Sequence, residues 1–197
     1  MRSRLIMVFF ALFLIGVLAS YDMPKNWATG GSAVQSYEMG IDYGAGQNGK
    51  NAATIKSISK EIKEDGYGSL TQKFLVDKYK GKRLRLTGYV KAKNVANWAG
   101  LFMRLEGELE TLPNGKQTRK LIALDNMSNR AIRGTVDYTK CEIVLDVPDT
   151  AVDIIYGGQI LGTGQIWFDQ LNFEVVGNDV PQTIGPLQAP TNLDFEK

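Results

Sequence analysis

The 197 residues carry 23 Lys or Arg against 21 Asp or Glu, with one Cys and no His. Without imidazole the chain cannot build a Ser-His or Cys-His nucleophile pair or a His-ligated zinc or iron site, and the lone Cys141 cannot close an intramolecular disulfide. It also lacks the basic excess with which nucleic-acid binders neutralise phosphate.

Arg2 and Arg4 precede an unbroken apolar run from Leu5 to Ala19, after which Ser20, Tyr21 and Asp22 turn polar. The run is shorter than the roughly 20 residues a spanning helix needs and ends in Val17-Leu18-Ala19. It reads as a signal peptide over 1–19, cleaved after Ala19, which predicts a secreted or periplasmic protein with no stable membrane span. Retention as an N-terminal anchor is the alternative. Cleavage removes two Arg and no acid, leaving 21 basic and 21 acidic residues.

Residues 20–176 read as one β-sandwich. In "NAATIKSISKEIKEDGYG", Ile55, Ile58 and Ile62 recur at helical spacing, so this stretch fits either a strand over 52–58 with a charged loop or a helix to Glu64. From residue 69 onward period two dominates. In "KRLRLTGYVKA", Leu84, Leu86, Gly88, Val90 and Ala92 share one face and Arg83, Arg85, Thr87, Tyr89 and Lys91 the other. The same logic predicts strands over 69–75, 99–105, 120–125, 141–147, 152–156 and 165–176, with Cys141 as a buried core thiol beside Ile143, Leu145 and Val147. Many short strands without helical periods between them indicate an antiparallel sandwich.

"GQIWFDQLNFEVVG" holds a conflict of parity. Trp167, Leu171, Phe173 and Val175 share one face and Ile166 and Phe168 the other, so either both faces are covered or a bulge near Asp169-Gln170 shifts the register. Residues 177–190 hold three of the six prolines and read as an extended tether, and 191–197, "NLDFEK" after Thr191, as a strand.

"LTQKFLVDKYKGKRLRLTGYVKAKNV", "AGLFMRLEG", "LDNMSNRAIRGTVDY" and "VLDVPDTAVDIIYGGQILGTGQIWFDQLNFEVV" together resemble an uncharacterised bacterial domain of the galactose-binding-like, carbohydrate-binding-module-like jelly-roll class. The resemblance implies an all-β antiparallel jelly roll. Modules of this class typically open with a strand like N-L-x-F-E followed by P-x-x-W. Here "MPKNW" stands at 23–27 and "NLDFEK" at the other end, which implies a circular permutation with strand 191–196 completing the sheet, or a strand-swapped dimer. Some relatives carry transcription-regulator labels, to which a neutral, exported chain gives no support.

Arg104, Asp125, Asn126 and Arg130 combine fork-shaped donors with carboxylate and amide groups, a set that hydrogen-bonds vicinal sugar hydroxyls. A salt bridge that fixes a loop is the alternative for Asp125 and Arg130. Among the aromatics, Trp98 at the head of a strand is the candidate for stacking on a sugar, and Trp27 and Trp167 are expected in the core. The resemblance implies a structural calcium at Asp169 and Glu196, and no other cofactor is expected. The sequence lacks GxSxG and a phosphate loop, and 21 acids prove nothing about glycosidase chemistry. The reading is a secreted, non-catalytic module binding carbohydrate or another small polar ligand, with a glycan or cell-envelope component as partner and no nucleic acid. The alternative is a structural or protein-interaction sandwich.

Overall fold

The computed structural model describes residues 21–184. The signal segment 1–19, the strand expected over 191–196 and the metal candidate Glu196 lie outside the described residues.

Nine antiparallel strands carry the described fold: β1 (Ala28–Gly30), β2 (Tyr37–Asp42), β3 (Ala52–Ser57), β4 (Tyr67–Leu75), β5 (Lys82–Thr111), β6 (Gln117–Asp125), β7 (Ile132–Val147), β8 (Asp153–Leu161) and β9 (Gln165–Val176). The ambiguous stretch at 52–64 is thus a strand followed by irregular chain, because Ile55 is fully buried between β2 and β9 while Ile58 stands in solvent. No helix among the described residues is long and apolar enough to cross a membrane.

The strands expected at 83–92 and 99–105 are one strand, β5, and it organises the molecule. No Pro or Gly interrupts 89–99, so nothing ends the strand there; Asn94 takes a positive φ of 53° and the ladder to β7 slips three times between Val90 and Ala99. The strand bends at that point instead of stopping. Before the bend β5 pairs with β9 and most of β7, and after it with β8, β6 and the first residues of β7. One hydrogen-bonded sheet therefore folds over into two layers: β2-β3-β9-β5-β7 and β1-β4-β8-β5-β6. This is an antiparallel jelly-roll sandwich.

The inward residues of both layers meet in a single core. Leu84, Leu86 and Val90 of one half of β5 and Leu101, Met103 and Leu105 of the other are all fully buried, each contributing about 1.5–3 kcal/mol relative to exposure. The layers approach closely where glycines face aromatics. A Cβ on Gly158 would lie 2.5 Å from the Phe168 ring, so any larger residue there would push the layers apart. Trp27, Tyr156, Phe168, Phe173 and Phe74 continue this contact as edge and tilted ring pairs, Tyr156 to Phe173 at 4.8 Å between centroids.

The parity conflict in β9 resolves as a bulge. Gln170 has a φ of 54° and the pairing with β5 shifts between Thr87 and Tyr89. Ile166 and Phe168 point inward before it, and Leu171 and Phe173 pack on the core after it. Trp167 consequently faces outward, which corrects its expected place in the core.

Cys141 is buried as predicted, and desolvation pushes its thiol up to about 11 while Arg130 pulls it back. At pH 8 only about one thiol in a thousand is then ionised. Native protein should react with a disulfide reagent far more slowly than protein unfolded in guanidinium, and stopped-flow absorbance would show equal rates if the thiol were accessible.

Candidate functional site

The outward face of the layer β1-β4-β8-β5-β6 can be read directly from its register. Along β5, Ala99, Leu101, Met103 and Leu105 point into the core, so Trp98, Gly100, Phe102, Arg104 and Glu106 point out. Their neighbours across β8 and β4 form five rows: Trp98 with Leu161 and Tyr67; Gly100 with Gln159 and Ser69; Phe102 with Gly157 and Thr71; Arg104 with Ile155 and Lys73; Glu106 with Asp153 and Leu75. Gly30 and Ala28 of β1 continue the second and third rows.

The two middle rows are built mostly of small residues, and the rows on either side carry large ones. By register this makes a trough across the strands between Tyr67, Leu161 and Trp98 on one side and Lys73, Ile155 and Arg104 on the other, with Met127 packed on Gly100 in its floor. From strand rise alone the walls are roughly 20 Å apart. Two polar side chains are recessed in its floor, Ser69 at 5% and Gln159 at 8% exposure, and neither makes a side-chain hydrogen bond among the described residues. Arg104 lines the wall. Its guanidinium reaches Glu106 at 2.8 Å, while its Nε is buried with no hydrogen-bond partner. Buried polar groups are nearly always paired, and leaving one unpaired costs about 1–3 kcal/mol, so the Arg104 Nε on the wall calls for a partner, and Ser69 and Gln159 offer further polar atoms in the floor.

Trp98 lies inside β5, not at the head of a strand, and is half-buried at the end of the trough. Asp125, Asn126 and Arg130 belong elsewhere. Asp125 sits opposite Met103, on the inward side, and is 2% exposed. Both its oxygens are taken: Arg130 donates to them at 3.1 and 2.6 Å, the Met127 N–H at 2.8 Å and the Thr183 hydroxyl at 2.5 Å. Arg130 also donates to the Glu142 carbonyl, and Asn126 accepts from the Ser128 N–H as a turn. The four polar residues expected on one face are therefore divided, and the Asp125–Arg130 pair fixes the β6–β7 connection.

Asp169 accepts hydrogen bonds from the Gln47 and Gln170 N–H groups at 3.1 and 2.7 Å. Calcium needs six to eight oxygens. Among the described residues no group of three or more His, Cys, Asp or Glu is placed to hold a metal, and the other expected ligand, Glu196, lies outside them.

Sequence reasoning missed Gln159 and Ser69. The alternation in "DIIYGGQIL" would have put Gln159 on the face opposite Ile154, Tyr156 and Ile160, but only the register shows that it stands beside Ser69.

No family model matches the chain. It is 37% identical over 179 residues to an uncharacterized HTH-type transcriptional regulator, YbfP, of Bacillus subtilis, a match covering 88% of this chain and 57% of that protein; the chain thus spans little more than half the length of this relative. Among solved structures it is similar to a protein of Bacteroides thetaiotaomicron proposed to bind sugar, with a TM-score of 0.55, 16% identity, and 80% of this chain and 91% of the other covered. It is also similar to the C-terminal family 22 carbohydrate-binding module of Clostridium thermocellum Xyn10B, with a TM-score of 0.50, 12% identity, and coverage of 80% and 89%. At these identities the likeness is one of fold, the jelly-roll sandwich of carbohydrate-binding modules.

Proposed function

We propose that the chain is an exported, non-catalytic module that binds an extended glycan in the trough of the β1-β4-β8-β5-β6 layer. The observation that carries this reading is the buried, unpartnered Arg104 Nε on the wall of a trough whose floor holds Gln159 and Ser69, beside the aromatic rings of Trp98, Tyr67 and Phe102. Sugars present hydroxyls along the ring edge and an apolar ring face, which this combination matches. Similarity in fold to carbohydrate-binding modules supports it, and the N-terminal sequence supports export. The regulator name of the Bacillus relative is not carried over to this chain, whose acidic and basic residues balance once 1–19 are removed.

A second reading, a protein-interaction domain, rests on Leu75, Leu109, Leu121 and Leu124, exposed near the far end of the same layer. A glycan array followed by calorimetry separates the two. Gln159→Ala and Tyr67→Ala should each weaken sugar binding by about tenfold, the loss of roughly one hydrogen bond or stacking contact, with little change in melting temperature. Arg104→Ala is a poorer probe, because it also strands the recessed Glu106 carboxylate. Absence of binding to any sugar would favour the interaction reading.

A further inference from the structure

The opposite layer carries a second cavity, about 530 Å³, lined by Lys91, Lys93, Asn94, Thr135, Asp137 and Trp167. It exists because the β5–β7 ladder slips between Val90 and Val95, where the bend at Asn94 draws the two strands out of register. Its apolar wall is the indole of Trp167, turned outward by the β9 bulge and held in place by a 2.6 Å hydrogen bond from its Nε1–H to Asp42. Lys91 lies 5.5 Å from the Trp167 ring and 5.8 Å from the Tyr138 ring, and neither Lys91 nor Lys93 has a carboxylate partner among the described residues. Thr135 and Asn94 hold each other, the Thr135 hydroxyl donating to the Asn94 side chain at 3.1 Å.

We propose that this cavity is a second binding site, for an anionic sugar residue bearing a carboxylate. Among the lining residues two ammonium groups stand against one carboxylate, Asp137, while the nearby Asp42 carboxylate is turned to the indole N–H, so the lining favours a negative charge. A fixed indole face selects a flat or ring-shaped body. Asp137 decides between an aromatic acid and a sugar acid: it would be left facing an aromatic acid as an unrelieved like charge, whereas ring hydroxyls donate to it. The site goes beyond the trough reading and stands if that reading fails, since the two lie on opposite outer faces and share no residue.

The test is calorimetry of the full chain with trigalacturonate and with its fully methyl-esterified form, at low and high salt. The acid should bind and the ester should not, and binding should weaken as salt rises. Lys93→Met, at an exposed position, should reduce affinity by about tenfold, one charge-assisted contact, with an unchanged melting temperature, and Lys91→Met should do the same. Gln159→Ala, in the trough, should leave this binding intact. Equal binding of acid and ester, no binding of the acid, or full binding by Lys91→Met and Lys93→Met would each overturn the proposal, whatever the trough does with neutral sugars.

Discussion

Asp125→Ala should lower the unfolding free energy by about 3–5 kcal/mol, the range seen when one partner of a buried ion pair is removed. The reason is the number of groups the carboxylate serves. It receives two guanidinium N–H groups of Arg130, the backbone N–H of Met127 in its left-handed conformation, and the Thr183 hydroxyl. Its removal leaves Arg130 half-buried without its counter-charge and frees the β6–β7 connection beside Met127, which packs against Gly100. Asp125→Asn should cost less, because it keeps the shape and one carbonyl acceptor. Urea unfolding followed by Trp fluorescence measures both. If instead Asp125→Ala were as stable as the parent and lost only sugar binding, the carboxylate would be a ligand group and the division between trough and connection drawn here would be wrong.

The same pair shows what the sequence can convey. Five residues separate Asp125 from Arg130, close enough for either a loop-fixing bridge or a shared ligand, and spacing cannot choose. The choice depends on Met103, Thr183 and Glu142, which arrive from distant parts of the chain. Strand extents were largely legible: β9 spans the predicted 165–176 despite its parity conflict, and β4 extends the predicted 69–75 by two residues. The short strands β1, "ATG", and β2, "YEMGID", were not, since Gly and small residues there give no period-two signal.

Trp167 is the instructive failure. Its parity matches Leu171, Phe173 and Val175, and a sequence read without the bulge puts it with them in the core. One extra residue at Gln170 reverses the relation, so Trp167 lies outside and Leu171 inside. A single local irregularity thus moves an aromatic residue from the core to the wall of a cavity. The conflict was visible in the sequence; which of its two resolutions holds was decided by pairing with Thr87 and Tyr89 on another strand.

Truncation after Val176 should destabilise the protein by on the order of 4 kcal/mol, several hydrogen bonds including charged ones. Residues 177–184, read from sequence as the start of a tether, are held along the edge of β7 that no other strand among the described residues covers. Thr183 donates its N–H to the Val144 carbonyl at 3.1 Å and accepts the Val144 N–H at 2.8 Å. Gln182 exchanges hydrogen bonds with Asp146, and Ile184 packs on the core. Arg83, 8% exposed, grips Asp146 with its fork at 2.6 and 2.9 Å and donates to the carbonyls of Asn178 and Val180 at 3.0 and 2.7 Å. Without the segment, Arg83 loses two acceptors and β7 presents unpaired amides to any other strand edge, so aggregation should accompany the loss of stability. The Arg83 guanidinium holds the Asp146 carboxyl below its ordinary range. That part of the stability is present above the unfolded carboxylate's pKa and is lost as the pH falls through the lower folded value; Arg83 and Asp146 both remain in the truncated chain, so the two proteins should lose it alike under acid. Chains ending at Ile184 and at Pro190 complete the series. They test the returning strand proposed for 191–196, where Leu193 and Phe195 would add about 1.5–3 kcal/mol each on burial. Thermal unfolding and sedimentation of the three truncations against the full chain give the answer. A Val176 truncation as stable and monomeric as the full chain would show that the contacts of Thr183 and Arg83 contribute nothing net, and that β7 needs no cover.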